Sequence, residues 1–243
     1  KFRHSPSGHG LRFKNPLYSL DASLIDLSLA SFPWADYNRE KAAMKLHVGL
    51  NHSGMLPEFV NITEGKAADL HGANRFDFPR GSIVACDKGY VDYNWYKQLT
   101  DKGIFFVTRL RPNSIYRIEE RRTFTPGSGV TSDQIIQLNS KHALKQGAPR
   151  LRRIGYRDPE TGKHYVFLTN HFKLAARTIA EIYKQRWQVE LFFKAIKQNL
   201  KIKAFVGNSK NAVLTQIWIA LCIYLLLAYL KHAARLNWSV QRL

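Results

Sequence analysis

Residues 212–230 place the narrowest limit on how this chain can fold. They form a run of 19 residues without a charge, close to the ~20 apolar residues that a helix needs to cross a bilayer. Such a run is either a membrane span or a helix covered by a large core. Thr215 and Gln216 lie within it, Gly and Pro are absent from it, and no second run of this kind occurs. These features favour a helix buried in a core, with a membrane span as the alternative.

Short apolar runs bounded by turn residues precede that helix and predict strands. They cover residues 17–29, 44–50, 55–63, 81–86, 104–110 and 165–169. The turn from Asn51 to Gly54 predicts that the second and third runs form a hairpin. Helical spacing follows over residues 67–74, 93–102, 174–200 and 211–235. This order predicts an α/β fold with a mixed sheet flanked by helices.

The segment 111–163 is polar and mixed in charge, with Gly, Pro and Thr between short β-like pieces. We interpret it as a β-rich insertion. The predicted organisation is therefore a linker over 1–16, the first part of the core over 17–110, the insertion over 111–163 and the C-terminal part of the core over 164–243. The chain begins with Lys and lacks an apolar signal core, which predicts that it is a fragment of a longer protein.

The charge balance points to a polyanionic partner. Lys and Arg number 37 against 18 Asp and Glu, a formal net charge of +19, and such self-repulsion is costly without an anionic ligand. The basic residues are spread among aromatics instead of clustering as in lipid binders, which favours nucleic acid; the alternative is an inert basic surface. Cys86 and Cys222 both lie in apolar runs, so we predict two buried thiols in a reducing compartment.

The helical segment around Glu190 carries a polar stripe. Counted from residue 183, polar side chains recur at relative positions 0, 3, 7, 11 and 14, which at about 100° per residue fall within roughly 80°. They are Tyr183, Arg186, Glu190, Lys194 and Lys197. An apolar stripe lies beside them and predicts that the helix is anchored to a core; it comprises Ile182, Val189, Phe193 and Ile196.

Acidic residues are scarce on this helix. Residues 171–210 contain nine Lys or Arg and only two acids, Glu181 and Glu190. The alternative is a solvated face with an Arg186–Glu190 pair, but solvated helices usually mix their charges. A single Glu among cations suits a divalent metal held beside a phosphate.

Two aspartates on strands can complete a set of oxygen ligands for such a metal. Asp21 lies within the first strand, and Asp87 directly follows the buried run 81–86, at the strand end where α/β sheets place their sites. Asp26 and Asp92 are the competing candidates. The nine histidines show no zinc-ligand spacing with Cys or with one another.

These motifs carry a family resemblance. The run from Tyr183 to Glu190, followed by Lys197, resembles the Tyr-x2-Arg-x3-Glu-x6-Lys signature of cut-and-paste DDE insertion-sequence transposases. The tetrapeptide Asp87-Lys88-Gly89-Tyr90 resembles the second-aspartate motif of that family, with Lys in place of the usual Arg, and Leu20-Asp21-Ala22-Ser23 resembles its first-aspartate strand. The resemblance implies a ribonuclease H-like fold with a β-rich insertion before the catalytic helix.

The resemblance also implies an activity: metal-dependent cleavage at transposon ends and strand transfer into target DNA. Asp21, Asp87 and Glu190 would be the catalytic metal ligands, and two Mg²⁺ or Mn²⁺ ions are expected. The residues expected to contact DNA are Tyr183, Arg186, Lys194, Lys197, Lys88 and Tyr90. A homodimer on paired DNA ends, in the bacterial cytoplasm at the nucleoid and away from membranes, is expected. The main alternative is a catalytically inactive DNA-binding remnant of a transposase.

Overall fold

The structure is a computed structural model that describes residues 10–11, 13–39, 41–199 and 205–235. Over these residues the chain forms ten strands of one mixed sheet and six α-helices, which confirms the predicted α/β class with its ribonuclease H-like mixed sheet flanked by helices. Most of the predicted linker over 1–16, and the last predicted helical residue at 200, lie outside the described residues. Two compact units make up the fold, the first from Asp21–Phe76 and Gln188–Leu243, the second from His9–Leu20 and Asp77–Trp187.

An antiparallel hairpin dominates the sheet of unit 1. The elements of this unit are β1 (Leu17–Leu27, from Asp21 onward), β2 (Asp36–Asn38), β3 (Lys41–Asn51), β4 (Leu56–Glu64), α1 (Asp69–Ala73), α5 (Trp187–Lys194, from Gln188 onward) and α6 (Lys210–Ala233). Strands β3 and β4 pair from Met44↔Glu64 to Asn51↔Leu56, which confirms the predicted hairpin. Gly54 and Met55 close it with positive φ angles of 89° and 56°.

Helix α6 packs into the core of unit 1 by one face only. Val213, Ile217, Leu221 and Tyr224 are buried in a cluster that also contains Phe192 of α5. The opposite face leaves several large apolar side chains exposed, and only 33% of the most apolar 18-residue window is buried. The prediction of a helix enclosed by a core is therefore wrong for half of its surface. By length and composition α6 is also long enough to cross a membrane.

One cysteine prediction changes with this packing. Cys86 is buried in the strand Ile83–Cys86, as predicted, whereas Cys222 lies on the outward face of α6 and is exposed. The apolar residues around Cys222 in the sequence do not imply that its side chain is buried, because α6 is apolar on both faces and only one face packs in the core.

Parallel strands open the sheet of unit 2 and antiparallel strands extend it. Its strands are the beginning of β1, then β5 (Ile83–Cys86), β6 (Phe105–Arg109), β7 (Tyr116–Arg121), β8 (Val130–Leu138), β9 (Leu151–Arg157) and β10 (His164–Thr169), and its helices are α2 (Tyr93–Asp101), α3 (Lys141–Lys145) and α4 (Ala176–Gln185). Strand β5 pairs in parallel with β1 and β6, and β10, β9, β8 and β7 follow in antiparallel order. The segment 111–163 thus supplies β7 to β9, which continue the same sheet.

An ion pair is buried within this antiparallel part. Arg152 on β9 and Asp133 on β8 have side chains only 2% and 3% exposed. The guanidinium donates from Nε to Oδ1 at 2.8 Å and from Nη2 to Oδ2 at 2.6 Å. Its Nη1 also donates to the backbone carbonyls of His171 and Leu174. Arg152 therefore connects two strands to the segment that leads into α4.

His171 gives unit 2 a defined response to acid. Its buried ring accepts backbone N–H groups of Lys173 and Leu174 at Nδ1, and burial lowers the pKa of His171 to about 4. The unfolded chain binds this proton below about pH 6.5, so the free energy of unfolding is expected to fall as pH decreases from 6.5 towards 4. Urea unfolding at several pH values should show a slope of up to about 1.4 kcal/mol per pH unit from this group. In His171→Asn that slope should decrease by the equivalent of one proton, and an unchanged slope would contradict the assignment.

Candidate active site

Asp87 stands at the end of a completely buried strand. All four residues of β5 are buried, and Asp87 follows them as the N-cap residue of the 3₁₀ turn Lys88–Tyr90. Its side chain is 35% exposed. The apolar strand thus fixes the backbone of Asp87, while the turn keeps its carboxylate at the surface.

Two side chains of unit 2 hold this carboxylate. Arg109 Nη2 donates to Asp87 Oδ1 at 3.1 Å, and the Tyr183 hydroxyl donates to the same oxygen at 3.3 Å. Arg109 is in place because β5 and β6 pair in parallel with Ala85 opposite Val107, so the residues two positions further along each chain are neighbours. Tyr183 arrives from α4.

The surroundings keep the carboxylate charged. Partial burial alone would raise the pKa of Asp87, but the Lys88 backbone N–H and the Arg109 guanidinium outweigh it, with a smaller contribution from Arg186, and the pKa lies below its usual value. Burial raises the pKa of Tyr183 to about 12, so this residue remains a neutral hydrogen-bond donor. At neutral pH the site therefore presents an anionic carboxylate, a phenol and two cations.

Tyr183 lies between the two arginines. The Cζ atoms of Arg109 and Arg186 are 5.8 and 5.7 Å from its ring centroid, a distance at which a guanidinium is attracted to an aromatic face. Beside this group opens a cavity of about 380 Å³. Its walls within unit 2 include Arg109, Tyr183, Arg186, Tyr156, Tyr165 and Trp187. The full lining holds acids as well as cations, so the cavity is mixed in charge and rich in aromatic rings.

Asp21 and its competitor Asp26 lie in different environments on β1. Asp21 is partly buried, and its Oδ1 accepts the Ala22 backbone N–H at 2.8 Å. It comes directly after Leu20, which is paired with Cys86, the residue before Asp87. Asp26 is exposed near the end of the strand. The strand position of Asp21 thus parallels that of Asp87.

Asp92, the competitor of Asp87, already has a structural role. It is the N-cap residue of α2, and its Oδ1 accepts the Trp95 backbone N–H at 2.7 Å. Gln146 donates to the other carboxylate oxygen. A capping carboxylate that is engaged at both oxygens is a weaker candidate for a metal ligand than Asp87.

The predicted helix that carries Glu190 exists but is not continuous. The apolar stripe is confirmed, since Ile182, Val189, Phe193 and Ile196 are all buried. A turn at Arg186, whose N–H donates to the Tyr183 carbonyl, separates α4 from α5. Glu190 lies in the first turn of α5 and is partly buried.

The lysines of the polar stripe fall on different kinds of backbone. Lys194 ends α5 and is exposed, whereas Lys197 belongs to a π-helical segment, Ala195–Asn199, and is partly buried. A π-helix departs from 100° per residue. The regular spacing assumed for the stripe therefore does not extend to Lys197.

Lys88 and Tyr90 of the turn after Asp87 have opposite environments. Lys88 is exposed, while Tyr90 is 1% exposed with its ring 6.3 Å from that of Trp95. Lys88 is accessible to a ligand, and Tyr90 serves packing in this structure. Its contact with DNA stays a prediction.

The metal-binding prediction rests on the chemistry of the donors. Across the described part of the chain, three or more His, Cys, Asp or Glu side chains are nowhere grouped closely enough to hold an ion. The chemistry of the donors nevertheless fits Mg²⁺, because carboxylate oxygens are its preferred protein ligands and Asp87 is kept ionised. The assignment of Asp21, Asp87 and Glu190 as ligands stays a prediction.

Arg109 is the site residue that sequence reasoning missed. The run 104–110 is predicted as a strand, and Arg109 is the one charged side chain within it. A parallel pairing of this run with the run 81–86 brings Arg109 beside Asp87. The sequence pattern of a single strand does not specify the register of that pairing, so Arg109 could not be assigned to the site from the sequence.

Comparison with known proteins covers most of the chain. Residues 12–226 match the family described as Transposase DDE domain. A Sinorhizobium fredii protein named as transposase y4zB is 36% identical over 84% of this chain and 57% of its own length. A Geobacillus stearothermophilus protein, named as the transposase of insertion sequence element IS5377, is 31% identical over 95% of this chain and 60% of its own.

A third relative extends the same pattern. A Synechocystis protein named for insertion sequence element IS4SA is 25% identical over 88% of this chain and 60% of its own length. The chain thus spans about 57–60% of the length of these relatives. The match over residues 12–226 includes every predicted site residue, and this chain belongs to the DDE transposase family.

Proposed function

We propose that this chain forms the catalytic part of a DNA transposase that cleaves transposon ends and transfers strands into target DNA. The observation that carries the proposal is the ionised Asp87 at the end of β5, held by Arg109 and by Tyr183 of the Tyr-x2-Arg-x3-Glu motif. Family membership and the names of the relatives support it. An ionised carboxylate beside cations is the arrangement expected where a metal and a phosphate meet.

Asp21, Asp87 and Glu190 would hold the metal, with two Mg²⁺ or Mn²⁺ ions expected. When bound, such ions activate a water or a 3′-hydroxyl and stabilise the leaving oxygen during attack on a DNA phosphate. Arg109 is a positioning residue in this proposal. It keeps Asp87 charged and oriented, so the carboxylate needs no deprotonation before it binds a cation.

Cationic side chains would hold the DNA strand. Arg186, next to the Tyr183 ring, and the exposed Lys88 and Lys194 would contact phosphate oxygens. Lys197 is proposed for the same role. Tyr183, which remains a neutral phenol, would contact the backbone or a displaced base beside the cut; Tyr90 is retained as a weaker candidate because of its burial.

The charge and the family support a proposal for the partner and the cellular setting. A net charge of +19 supports DNA as the partner, with an affinity that falls steeply as salt rises. We also propose that the protein acts as a homodimer on paired transposon ends. Its proposed location is the bacterial cytoplasm, at the nucleoid.

Metal-dependent nicking is the first expected result. Incubated with supercoiled plasmid and Mg²⁺ or Mn²⁺, the chain should produce nicked circles and joined products, and EDTA should prevent both because the carboxylates alone do not activate the attacking group. Agarose gels of labelled plasmid measure this. DNA binding without cleavage at any metal concentration would contradict the proposal and favour an inactive DNA-binding remnant.

A further inference from the structure

The outward face of α6 is a large apolar surface on a strongly charged molecule. Six of its large apolar side chains are 41–56% accessible and are spread over residues 218–230. They are Trp218, Ile219, Ile223, Leu226, Tyr229 and Leu230. We call this set the α6 face. Contiguous apolar patches of this kind usually mark a site of association.

The α6 face contributes to a row of exposed residues with the spacing of a helix–helix seam. Thr215, Ile219, Cys222, Leu226 and Tyr229 follow one another at intervals of 4, 3, 4 and 3 residues, and all five are exposed. Alternation of three and four is the spacing that lets two α-helices interlock side chains along their length. The partner that fits this face is therefore another helix with an apolar stripe.

We infer that the α6 face is a self-association surface, on which the α6 of a second copy packs about a twofold axis. The copy offers the same uncharged stripe, which a twofold interface requires because the same patch serves both subunits. Half-exposed side chains of this size present on the order of 600 Å² per copy, near the ~800 Å² per partner of a standard stable interface. The inference concerns the chain alone and stands whether or not the proposed cleavage is found.

The opposite face of α6 argues against a membrane span. Val213, Ile217, Leu221 and Tyr224 are buried in the core cluster of unit 1, and the Tyr224 hydroxyl donates to the Met55 carbonyl of the hairpin. Insertion across a bilayer would have to remove these side chains from that core. A partner that covers only the outward face leaves the core intact.

Charge determines how this association should respond to salt. Residues 211–230 contain no charged side chain, so the contact itself is apolar, whereas the remainder of the two molecules repel because each carries +19. Raising the ionic strength screens that repulsion. Self-association should therefore strengthen with salt, the opposite of the dependence expected for DNA binding.

Cys222 provides a site-specific readout. It lies near the middle of Lys210–Ala233 and is exposed, while the second cysteine of the chain, Cys86, is buried. In an antiparallel twofold pair of helices the central residues face each other. A short bis-maleimide should therefore link two chains through Cys222, and Cys222→Ser should abolish the link.

The test is sedimentation equilibrium of the whole chain at about 0.1 M and about 1 M salt, where the screening length falls from ~10 to ~3 Å. We expect a monomer–dimer equilibrium that tightens at high salt. In the double variant Ile219→Gln, Leu226→Gln the dimer should weaken by at least about 100-fold, since four large side chains leave the contact and each 1.4 kcal/mol is tenfold. The control Leu144→Gln, at a residue 61% exposed on α3, should leave it unchanged.

Three outcomes would overturn the inference. They are a monomer under all conditions, a dimer that is indifferent to the Ile219 and Leu226 changes, and a chain that floats with liposomes through α6 while remaining monomeric without them. Far-ultraviolet circular dichroism of each variant confirms that the fold is kept, so loss of the dimer can be assigned to the surface.

Discussion

Replacing Glu190 with Gln is expected to reduce metal-dependent cleavage of plasmid DNA by at least roughly 100-fold, because a weakened metal ligand displaces the reacting groups and a shift of about 1 Å costs that much. Gln keeps the size of the side chain but removes the negative charge that a divalent cation requires. Binding of labelled DNA at fixed salt should be unchanged or slightly tighter, since one acid is lost from a basic surface. Nicking assays and fluorescence anisotropy on the same preparation measure the two effects separately.

Glu181 supplies the matched control. It is the other acid between residues 171 and 210, it belongs to α4, and it pairs with Arg177 one turn earlier at 3.0 Å. Glu181→Gln makes the same chemical change and should keep cleavage near that of the unsubstituted chain. Equal loss in both variants, or full activity in Glu190→Gln, would remove Glu190 from the catalytic set.

Replacing Arg152 with Met should be the most destabilising single change outside the site. The substitution leaves the Asp133 carboxylate buried without its partner and removes donors from the carbonyls of His171 and Leu174. Breaking a buried pair by removing one partner costs about 3–5 kcal/mol, a large part of the ~5–15 kcal/mol that stabilises a typical domain. Urea unfolding followed by circular dichroism measures the free energy of unfolding directly.

Arg150, two residues earlier on the chain, is the control for this measurement. It pairs with Glu119 at 2.7 Å, but its side chain is 59% exposed, and exposed pairs contribute about 0–1 kcal/mol. Arg150→Met should therefore be nearly neutral. If Arg152→Met does not fold, Arg152→Lys replaces it, and its free energy of unfolding should be lower than that of the unsubstituted chain. Equal free energies of unfolding for the Arg150 and Arg152 variants would contradict a structural role for the buried pair.

Local sequence patterns predicted most elements of the fold. The hairpin β3–β4 follows from two apolar runs around Asn51 to Gly54, and β5 from a run that stops at Asp87. Helix α6 shows where such patterns end. Its apolar residues surround the helix, so nothing in the sequence distinguishes Ile217, which is buried, from Ile219, which is 52% exposed. Only the packing of α6 in unit 1 makes that distinction.

The candidate site was predictable in its chemistry but not in its contacts. The motif identified Tyr183 and Arg186, and the strand end identified Asp87. The hydrogen bond from Tyr183 to Asp87 joins residues 96 positions apart, and that from Arg109 depends on strand register. The sequence likewise did not indicate that Tyr90 is buried, because an aromatic residue next to a charged turn suits either a ligand or a core.

The π-helical segment at Ala195–Asn199 is a place where the chain can lose one residue and keep its backbone hydrogen bonds. A turn closed by i→i+5 hydrogen bonds holds one residue more than an α-turn. Losing one residue there converts the π-turn into an ordinary turn and leaves the backbone hydrogen-bonded. Losing one residue from the first turn of α5, before Glu190, would rotate the glutamate about the axis of that helix by about 100°. Single-residue deletions among functional relatives are therefore expected in the π-turn and not in the interval that sets the direction of Glu190.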